Sequence, residues 1–263
     1  MTDSFRIAAP PLPPEGGVVV DLVDGVAAVT FGHPKGNSLP AAVLRALAER
    51  IADVGRDERA RVIVLRSGGT GPFCAGASFD ELTAIADPDA GKEFFLGFAR
   101  VILAMIRCPQ LVVTAVQGRV AGGGIGIVAA SDYAIAVETA SLRLSELAVG
   151  IGPFVVGPVI ERKIGLAAFH AMAVDTEWRD ARWALTHGLY SQVVDASAAL
   201  DERAASIARR LAASNPEAMA GIKRIAWEGT EQWDDLLARR AEMSGRLVLS
   251  AFTRKAIEAF RNR

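Results

Sequence analysis

Cysteine and histidine are both scarce in this 263-residue chain, and their positions limit the chemistry it can hold. The two cysteines, Cys74 and Cys108, are too few for a disulfide framework and favour a reducing compartment. The three histidines, His33, His170 and His187, do not lie at metal-ligand spacing from one another or from a cysteine. We therefore expect no zinc or haem site.

A strong net charge and a long apolar run are missing as well. The 29 basic residues nearly balance 30 acidic ones, which removes the broad basic field that non-specific nucleic-acid binding requires. The longest unbroken run in the most apolar region, residues 120–131, is shorter than the roughly 20 residues of a membrane helix. The first residues include an early acid and no apolar run, unlike a secretory signal. These absences predict a cytoplasmic protein with no nucleic-acid or membrane partner.

The sequence has enough apolar residues, 51%, to build a large core without crosslinks. Two β-rich runs flank Asp24-Gly25, a pair typical of a hairpin turn, and Ser38 is a candidate N-cap for the helix that follows. Apolar strands over 61–67, 111–116 and 133–137 alternate with helical patterns over 41–54, 90–106 and 122–130, which predicts a layered, parallel α/β core. Beyond residue 160 the patterns are helical, over 165–173, 181–187, 198–213, 216–228 and 231–260.

Three segments could carry chemistry. Gly76, between small residues, and the triplet Gly122–Gly124 can both turn the backbone tightly and leave N–H groups free for an oxygen, although an ordinary turn or close helix packing would also explain them. Glu146 is a lone acid in an apolar run. It is either exposed on a loop or, if buried, a general base with a raised pKa.

Other glycine-rich and nucleophile motifs fit poorly. The triplet is not followed by Gly-Lys-Ser/Thr, which excludes a phosphate-binding P-loop. Gly124 and Gly126, with Glu138 beyond them, lie in a poor register for a dinucleotide fold, although a dehydrogenase stays a distant alternative. No G-x-S-x-G elbow of the α/β-hydrolases occurs.

Taken together, these segments resemble the crotonase (enoyl-CoA hydratase/isomerase) superfamily. The resemblance rests on FCAGASFDEL, VQGRVAGGGIGIVAASDYAIA and ASLRLSELAVGIGP, with HPKGNSL before them and ARWALTHGLYSQVVD after them, and covers residue 18 to the C-terminus. It implies an α/β spiral core of ββα units with an all-helical C-terminal region. The resemblance divides the chain into a flexible lead (1–17), the crotonase-like core (18–195) and a helical region (196–263). The helical region is expected to join subunits into a homotrimer or hexamer.

The resemblance also implies an acyl-CoA substrate and no resident cofactor or metal, because coenzyme A enters as part of the substrate. By motif position, the backbone N–H groups of Ala77 and Gly123 form an oxyanion hole for the thioester, and Glu146 is the catalytic acid/base. The implied CoA contacts are Lys35, Ala75, Gly76 and Ala77. The implied substrate contacts are Phe79, Leu82, Gly122, Gly123 and Gly126. Segment 82–106 either lines the acyl pocket or belongs to the ordinary core, and the same alternatives hold for its residues Phe94, Phe95, Phe98 and Met105.

One departure from the family pattern bears on the reaction. Hydratases of the family carry a glutamate where this chain has Gly126, so Glu146 is left as a single acid/base, which favours enoyl-CoA isomerisation. The alternatives are hydration, perhaps of a branched enoyl-CoA, with another group as second acid, and a member that binds acyl-CoA without turnover. Asp80 or Glu81 could supply that acid, although a helix-start role is favoured for both. Lys35 is the preferred cation for the CoA phosphates, with Lys223, Arg224, Arg254 and Lys255 as further candidates.

Overall fold

The computed structural model describes residues 11–261, which form one six-stranded sheet, two small sheets and flanking helices. The strands are β1 Gly17–Val23, β2 Val26–Gly32, β3 Ser38–Leu39, β4 Val62–Ser67, β5 Gly76–Ala77, β6 Leu111–Val116, β7 Val120–Ala121, β8 Tyr133–Val137, β9 Ser141–Arg143, β10 Arg179–Asp180 and β11 Gln192–Val194. The helices are α1 Ala41–Arg56, α2 Phe79–Ala84, α3 Pro88–Arg107, α4 Gly123–Ala129, α5 Gly157–Ile164, α6 Leu166–Asp175, α7 Ala181–Thr186, α8 Ser197–Ala212, α9 Pro216–Ala226, α10 Trp233–Val248 and α11 Ala251–Arg261, with a 3-10 turn at Leu147–Val149.

The main sheet has the strand order β1-β2-β4-β6-β8-β11. The first pair is antiparallel, and Asp24 and Gly25 both have positive φ (49° and 79°), as the predicted hairpin turn requires. All other neighbours in this sheet are parallel, which confirms the layered α/β core. β2, β4 and β6 are buried apart from Arg66, so the centre of this sheet lies in the core.

The helices after β11 pack on this core. α8 contacts β4, β6 and β8, and α10 runs along α3. Gly91 and Gly245 form the crossing point of α3 and α10, where a Cβ at Gly91 would lie 2.7 Å from the Cα of Gly245. The helical C-terminal region is thus present, and it covers the sheet of its own chain.

Two details differ from the sequence predictions. The pattern over 231–260 is two helices, because Ser250 accepts a hydrogen bond from the Thr253 N–H (3.2 Å) and starts α11 as a new helix. Ser38 does not cap α1, since its hydroxyl donates to the Ala77 carbonyl (2.9 Å) and Pro40 precedes the helix. Residues 1–10 of the predicted flexible lead lie outside the described residues, and Leu12 packs over Gly32 and Gly68.

Two small sheets bring distant segments together beside the main sheet. β3 pairs with β5, and the second sheet has the order β10-β9-β7. A single bridge from Cys74 to Val120 links the two regions. This arrangement joins the loop at Gly76, the glycine triplet and the segment before Glu146.

Candidate active site

One cavity of about 690 Å³ collects most of the residues that the sequence singled out. Its wall includes Lys35, Ala75, Gly76, Ala77, Phe79, Leu82, Gly122, Gly123 and Glu146. Phe94, Phe95 and Phe98 of α3 also line it, whereas Met105 is fully buried core. Among the implied catalytic residues, the implied substrate contacts and the implied CoA contacts Lys35, Ala75, Gly76 and Ala77, Gly126 alone does not line the cavity.

The first loop turns at Gly76, whose φ of 95° lies in the left-handed region that favours glycine. β5 follows at once and pairs with β3, so Ala77 is held at the cavity wall by a short sheet. Ser78 then caps α2 by accepting a hydrogen bond from the Glu81 N–H (3.3 Å). The backbone of this loop is therefore fixed before any ligand binds.

At each position of the glycine triplet, neighbouring atoms leave too little room for a side chain. Gly122 has a φ of 50° and a ψ of −124°, and a Cβ there would lie 3.2 Å from Oε1 of Glu146. A Cβ on Gly123 would lie 2.5 Å from the Phe98 ring. Gly123 is also the first residue of α4, so its N–H has no partner within that helix.

The Glu146 side chain enters the cavity from the turn after β9. The residue as a whole is half-buried, but Oε2 is buried and has no hydrogen-bond partner among residues 11–261. Burial raises the pKa of this carboxyl to about 7. Nearby backbone N–H groups lower the pKa, but by less than burial raises it. Such a group exchanges a proton readily near neutral pH.

The position that carries a glutamate in the family's hydratases is closed here by apolar side chains. A Cβ on Gly126 would lie 2.7 Å from Cγ1 of Val156 and 3.1 Å from Cδ1 of Ile102. Val156, rather than Gly126, lines the cavity. The chain therefore has neither the second carboxylate nor space for one at this point.

Asp80 and Glu81 lie at the edge of the site, where both have partners. Asp80 forms an exposed ion pair with Lys35 at the cavity wall. The Glu81 carboxylate accepts a hydrogen bond from the Ala41 N–H (2.8 Å) at the start of α1. Glu81 lies in the first turn of α2 and in addition bonds to the start of α1, a contact that the sequence did not indicate. Asp80 is engaged by the cation predicted to hold the CoA phosphates.

The other predicted cations do not line the cavity. Lys223 is 2% exposed, and its Nζ donates to the Gln110 carbonyl (2.7 Å) and pairs with Asp132 (3.2 Å). The prediction that Lys223 could hold the CoA phosphates is wrong, because its ammonium group is buried and already paired inside the protein. Arg224, Arg254 and Lys255 are exposed.

Sequence reasoning missed several wall residues. Arg143 and Ser145 precede Glu146 and line the cavity with it, and the alternation along β9 could have indicated their position. Trp178 and the α11 residues Ala256 and Ala259 arrive from distant segments, for which the sequence carries no signal. Arg119 stacks on the Trp178 ring at 5.6 Å.

Within residues 11–261, no group of three or more histidine, cysteine, aspartate or glutamate side chains is arranged to hold a metal ion. No helix in the same part of the chain is both long and apolar enough to cross a membrane.

Comparison with known proteins identifies the family. The family model of enoyl-CoA hydratase/isomerase matches residues 21–262, nearly the whole chain. The chain belongs to the enoyl-CoA hydratase/isomerase family. This confirms the resemblance and makes the chain an acyl-CoA enzyme with the crotonase fold, and it sets aside the dinucleotide-binding alternative.

The curated relatives are named for different activities. The chain is 29% identical over 200 residues, 75% of each chain, to a carnitinyl-CoA dehydratase of Salmonella paratyphi A. It is 35% identical over 124 residues to a (7aS)-7a-methyl-1,5-dioxo-2,3,5,6,7,7a-hexahydro-1H-indene-carboxyl-CoA hydrolase of Rhodococcus jostii. That second match spans about half of either protein, 47% of this chain and 48% of the relative.

Solved structures share the fold over nearly the full length. An enoyl-CoA hydratase from Mycobacterium avium superposes with a TM-score of 0.83 at 27% identity, covering 95% of this chain and 97% of the other. One from Bacillus halodurans has a TM-score of 0.85 at 21% identity, covering 92% and 99%, and shows likeness of fold.

Proposed function

We propose that this enzyme moves the double bond of an enoyl-CoA through an enolate, with Glu146 as the only acid/base. The observation that carries the proposal is the buried, unpartnered Oε2 of Glu146 at the wall of an acyl-sized cavity. A carboxyl with a pKa of about 7 is present in both protonation states near neutral pH. It can therefore take a proton and return it in one turnover.

The proposed reaction uses one carboxylate for two proton transfers. The Glu146 carboxylate takes a proton from C2 of a 3-enoyl-CoA, which leaves a dienolate conjugated with the thioester. The protonated Glu146, which exchanges its proton with water, then donates a proton to C4, so the double bond moves from C3–C4 to C2–C3. No other reactant is needed, and the enzyme requires no resident cofactor.

In the proposed mechanism, the backbone N–H groups of Ala77 and Gly123 stabilise the enolate oxygen. Both residues lie at the wall of the cavity that Glu146 enters, and both follow a glycine that sharply turns the chain. Donors fixed in this way are worth about 3 kcal/mol each in a water-poor site. The role of these two groups rests on their motif position and is part of the proposal.

We assign the remaining predicted contacts on the same basis. Lys35, beside Ala75, Gly76 and Ala77, would hold the CoA portion at the cavity mouth. Phe79 and Leu82, with the faces of Gly122 and Gly123, would contact the acyl portion. Gly126 would act indirectly, by letting Val156 form the wall.

Isomerisation is favoured over hydration by the surroundings of Gly126. Adding water requires one group to activate the water and another to protonate the α-carbon. Val156 and Ile102 occupy the space in which a second carboxylate would lie. Hydration is the second candidate, favoured by the dehydratase and hydratase names of relatives.

Product analysis tests the proposal. We expect a 3-enoyl-CoA to be converted to the conjugated 2-enoyl-CoA, with deuterium incorporated from heavy water and little 3-hydroxyacyl-CoA formed. Formation of 3-hydroxyacyl-CoA from a 2-enoyl-CoA, without double-bond migration in the 3-enoyl-CoA, would favour hydration. Absence of conversion of both substrates over a panel of chain lengths would contradict both reactions. The paired change Gly126→Glu with Val156→Ala, compared with Val156→Ala alone, should increase the share of water addition.

We also propose that copies of the chain assemble into a homotrimer or hexamer in the cytoplasm. Leu166 and Val174 on α6, and Ile222 and Ile225 on α9, are more than half exposed, which suits burial against a second copy. Both cysteines are unpaired, which suits a reducing compartment. Light scattering should give a trimeric or hexameric mass, and Ile222→Glu with Ile225→Glu should lower it. A monomeric mass for the unchanged chain would contradict the assembly.

A further inference from the structure

Four charged side chains lie at the wall of the cavity among the described residues, and three of them are accounted for. Lys35 and Asp80 pair with each other at the mouth. Glu146 is the proposed acid/base. The fourth, Arg143, has no carboxylate partner within residues 11–261 and no part in the proposed proton transfer.

The place of Arg143 is set by the backbone around it. It is the last residue of β9, opposite Ala121 of β7, and its carbonyl accepts the Gly122 N–H (3.0 Å). Its side chain is half-buried at the cavity wall.

Among the described residues the Arg143 side chain makes one hydrogen bond, which also fixes it in place. Its Nε donates to the carbonyl of Thr176, which ends α6 in the left-handed region with a φ of 53°. A β-branched residue is strained in that conformation, and such strain persists where the surroundings hold it. Asp175 helps to hold the chain around Thr176, because it accepts a hydrogen bond from the Glu177 N–H (3.0 Å) and pairs with Arg179.

This contact uses only the Nε–H, so the terminal nitrogens of Arg143 are left without a partner in the described chain. The geometry points to a carboxylate on the acyl group of the substrate, separate from the thioester, that binds these nitrogens. A guanidinium pairs with a carboxylate through two parallel hydrogen bonds and is favoured for that purpose over a point charge. The inference rests on the proposed acyl-CoA chemistry and narrows its substrate class to acyl groups that carry a second acid.

Binding to unreactive ligands tests the inference without requiring turnover. The probes are saturated ω-carboxyacyl-CoAs with four to eight carbons, each compared with its methyl-ended counterpart by calorimetry. At one or more lengths we expect the carboxylate to improve affinity by at least about tenfold, the usual worth of a charge-assisted pair. Equal or weaker binding of the carboxylate at every length would overturn the inference.

Variants separate a contact with the acyl carboxylate from other roles. Arg143→Met should abolish the preference while changing affinity for methyl-ended ligands less than about threefold, and Arg143→Lys should keep part of it. Arg119→Met is the control, since it removes a nearby exposed charge that does not line the cavity. An equal loss for both ligand types in Arg143→Met would assign the residue to CoA or to folding and overturn the inference.

Turnover distinguishes this inference from the proposed function. A carboxylate preference in binding, with no double-bond migration in either 3-enoyl series, would support the inference and contradict isomerisation. Double-bond migration without any carboxylate preference in binding would support isomerisation and contradict the inference.

Discussion

Glu146 and Lys223 are charged residues whose terminal atoms are buried, but their surroundings differ completely. Lys223 Nζ has three partners within 3.3 Å: Gln110, Asp132 and the Cys108 sulfur. Glu146 Oε2 has none among the described residues and faces a cavity. Lys223 thus joins α9 to the start of β6, whereas Glu146 keeps a reactive group available. Burial alone does not mark a functional charge; burial without partners beside a cavity does.

The largest expected effect is on turnover, from removal of the Glu146 carboxyl, whose Oε2 has no partner among the described residues. Glu146→Gln should lower kcat by a factor of about 100 to 10,000, because the amide keeps the shape but cannot transfer a proton. Affinity for saturated acyl-CoA should change little. A kcat within threefold of the unchanged enzyme would mean that another group carries the proton.

Lys223→Met should instead affect stability. It leaves Asp132 without its buried cation, which typically costs about 3 kcal/mol in free energy of unfolding. Urea denaturation measures this loss, and the folded fraction should keep its kcat. Arg100→Met is the control, because it breaks the Arg100–Glu93 pair on an exposed surface and should cost much less. Equal costs for the two variants would undermine the contrast between buried and exposed pairs.

The pH dependence of stability should separate Glu146 from its glutamine variant. The folded chain holds the Glu146 pKa near 7, above its ordinary value of 4.5, so the folded state binds the proton more strongly than the unfolded state. The contribution of Glu146 to stability is therefore largest below pH 4.5 and is lost as pH rises towards 7. Relative to the unchanged enzyme, Glu146→Gln should gain up to about 3 kcal/mol between pH 5 and pH 8. A difference that does not vary with pH would contradict the raised pKa.

The smallest expected effect concerns the exposed pair at the cavity mouth. Asp80→Asn releases Lys35 from its partner and should lower KM for acyl-CoA about two- to fivefold, in keeping with the modest strength of exposed pairs. The effect should shrink at high salt. An increase in KM would mean that Asp80 supports binding by another route.

The sequence predicts those features that depend on neighbouring residues. Asp24-Gly25 specifies its turn locally, and the apolar spacing along α1 and α3 produces their buried faces. The loop at Gly76, the glycine triplet and Glu146 could be identified because each motif is continuous in sequence. Their meeting at one cavity followed from the family resemblance, not from local pattern.

Other features depend on residues far apart in the chain. Val156 closes the space at Gly126 from 30 positions away, and Trp178 reaches the cavity from the loop after α6. The interior role of Lys223 requires Gln110 and Asp132, which lie about 100 residues earlier. β7 and β10 are two residues long, too short for alternation to reveal them.

The central claim is that Glu146 alone moves the proton at the carbon next to the thioester. Exchange of the C2 protons of a saturated acyl-CoA with heavy water, followed by NMR, measures that step apart from any double bond. The account predicts exchange that rises with pH through a midpoint near 7 and disappears in Glu146→Gln. Exchange that persists at the original rate in Glu146→Gln would contradict it.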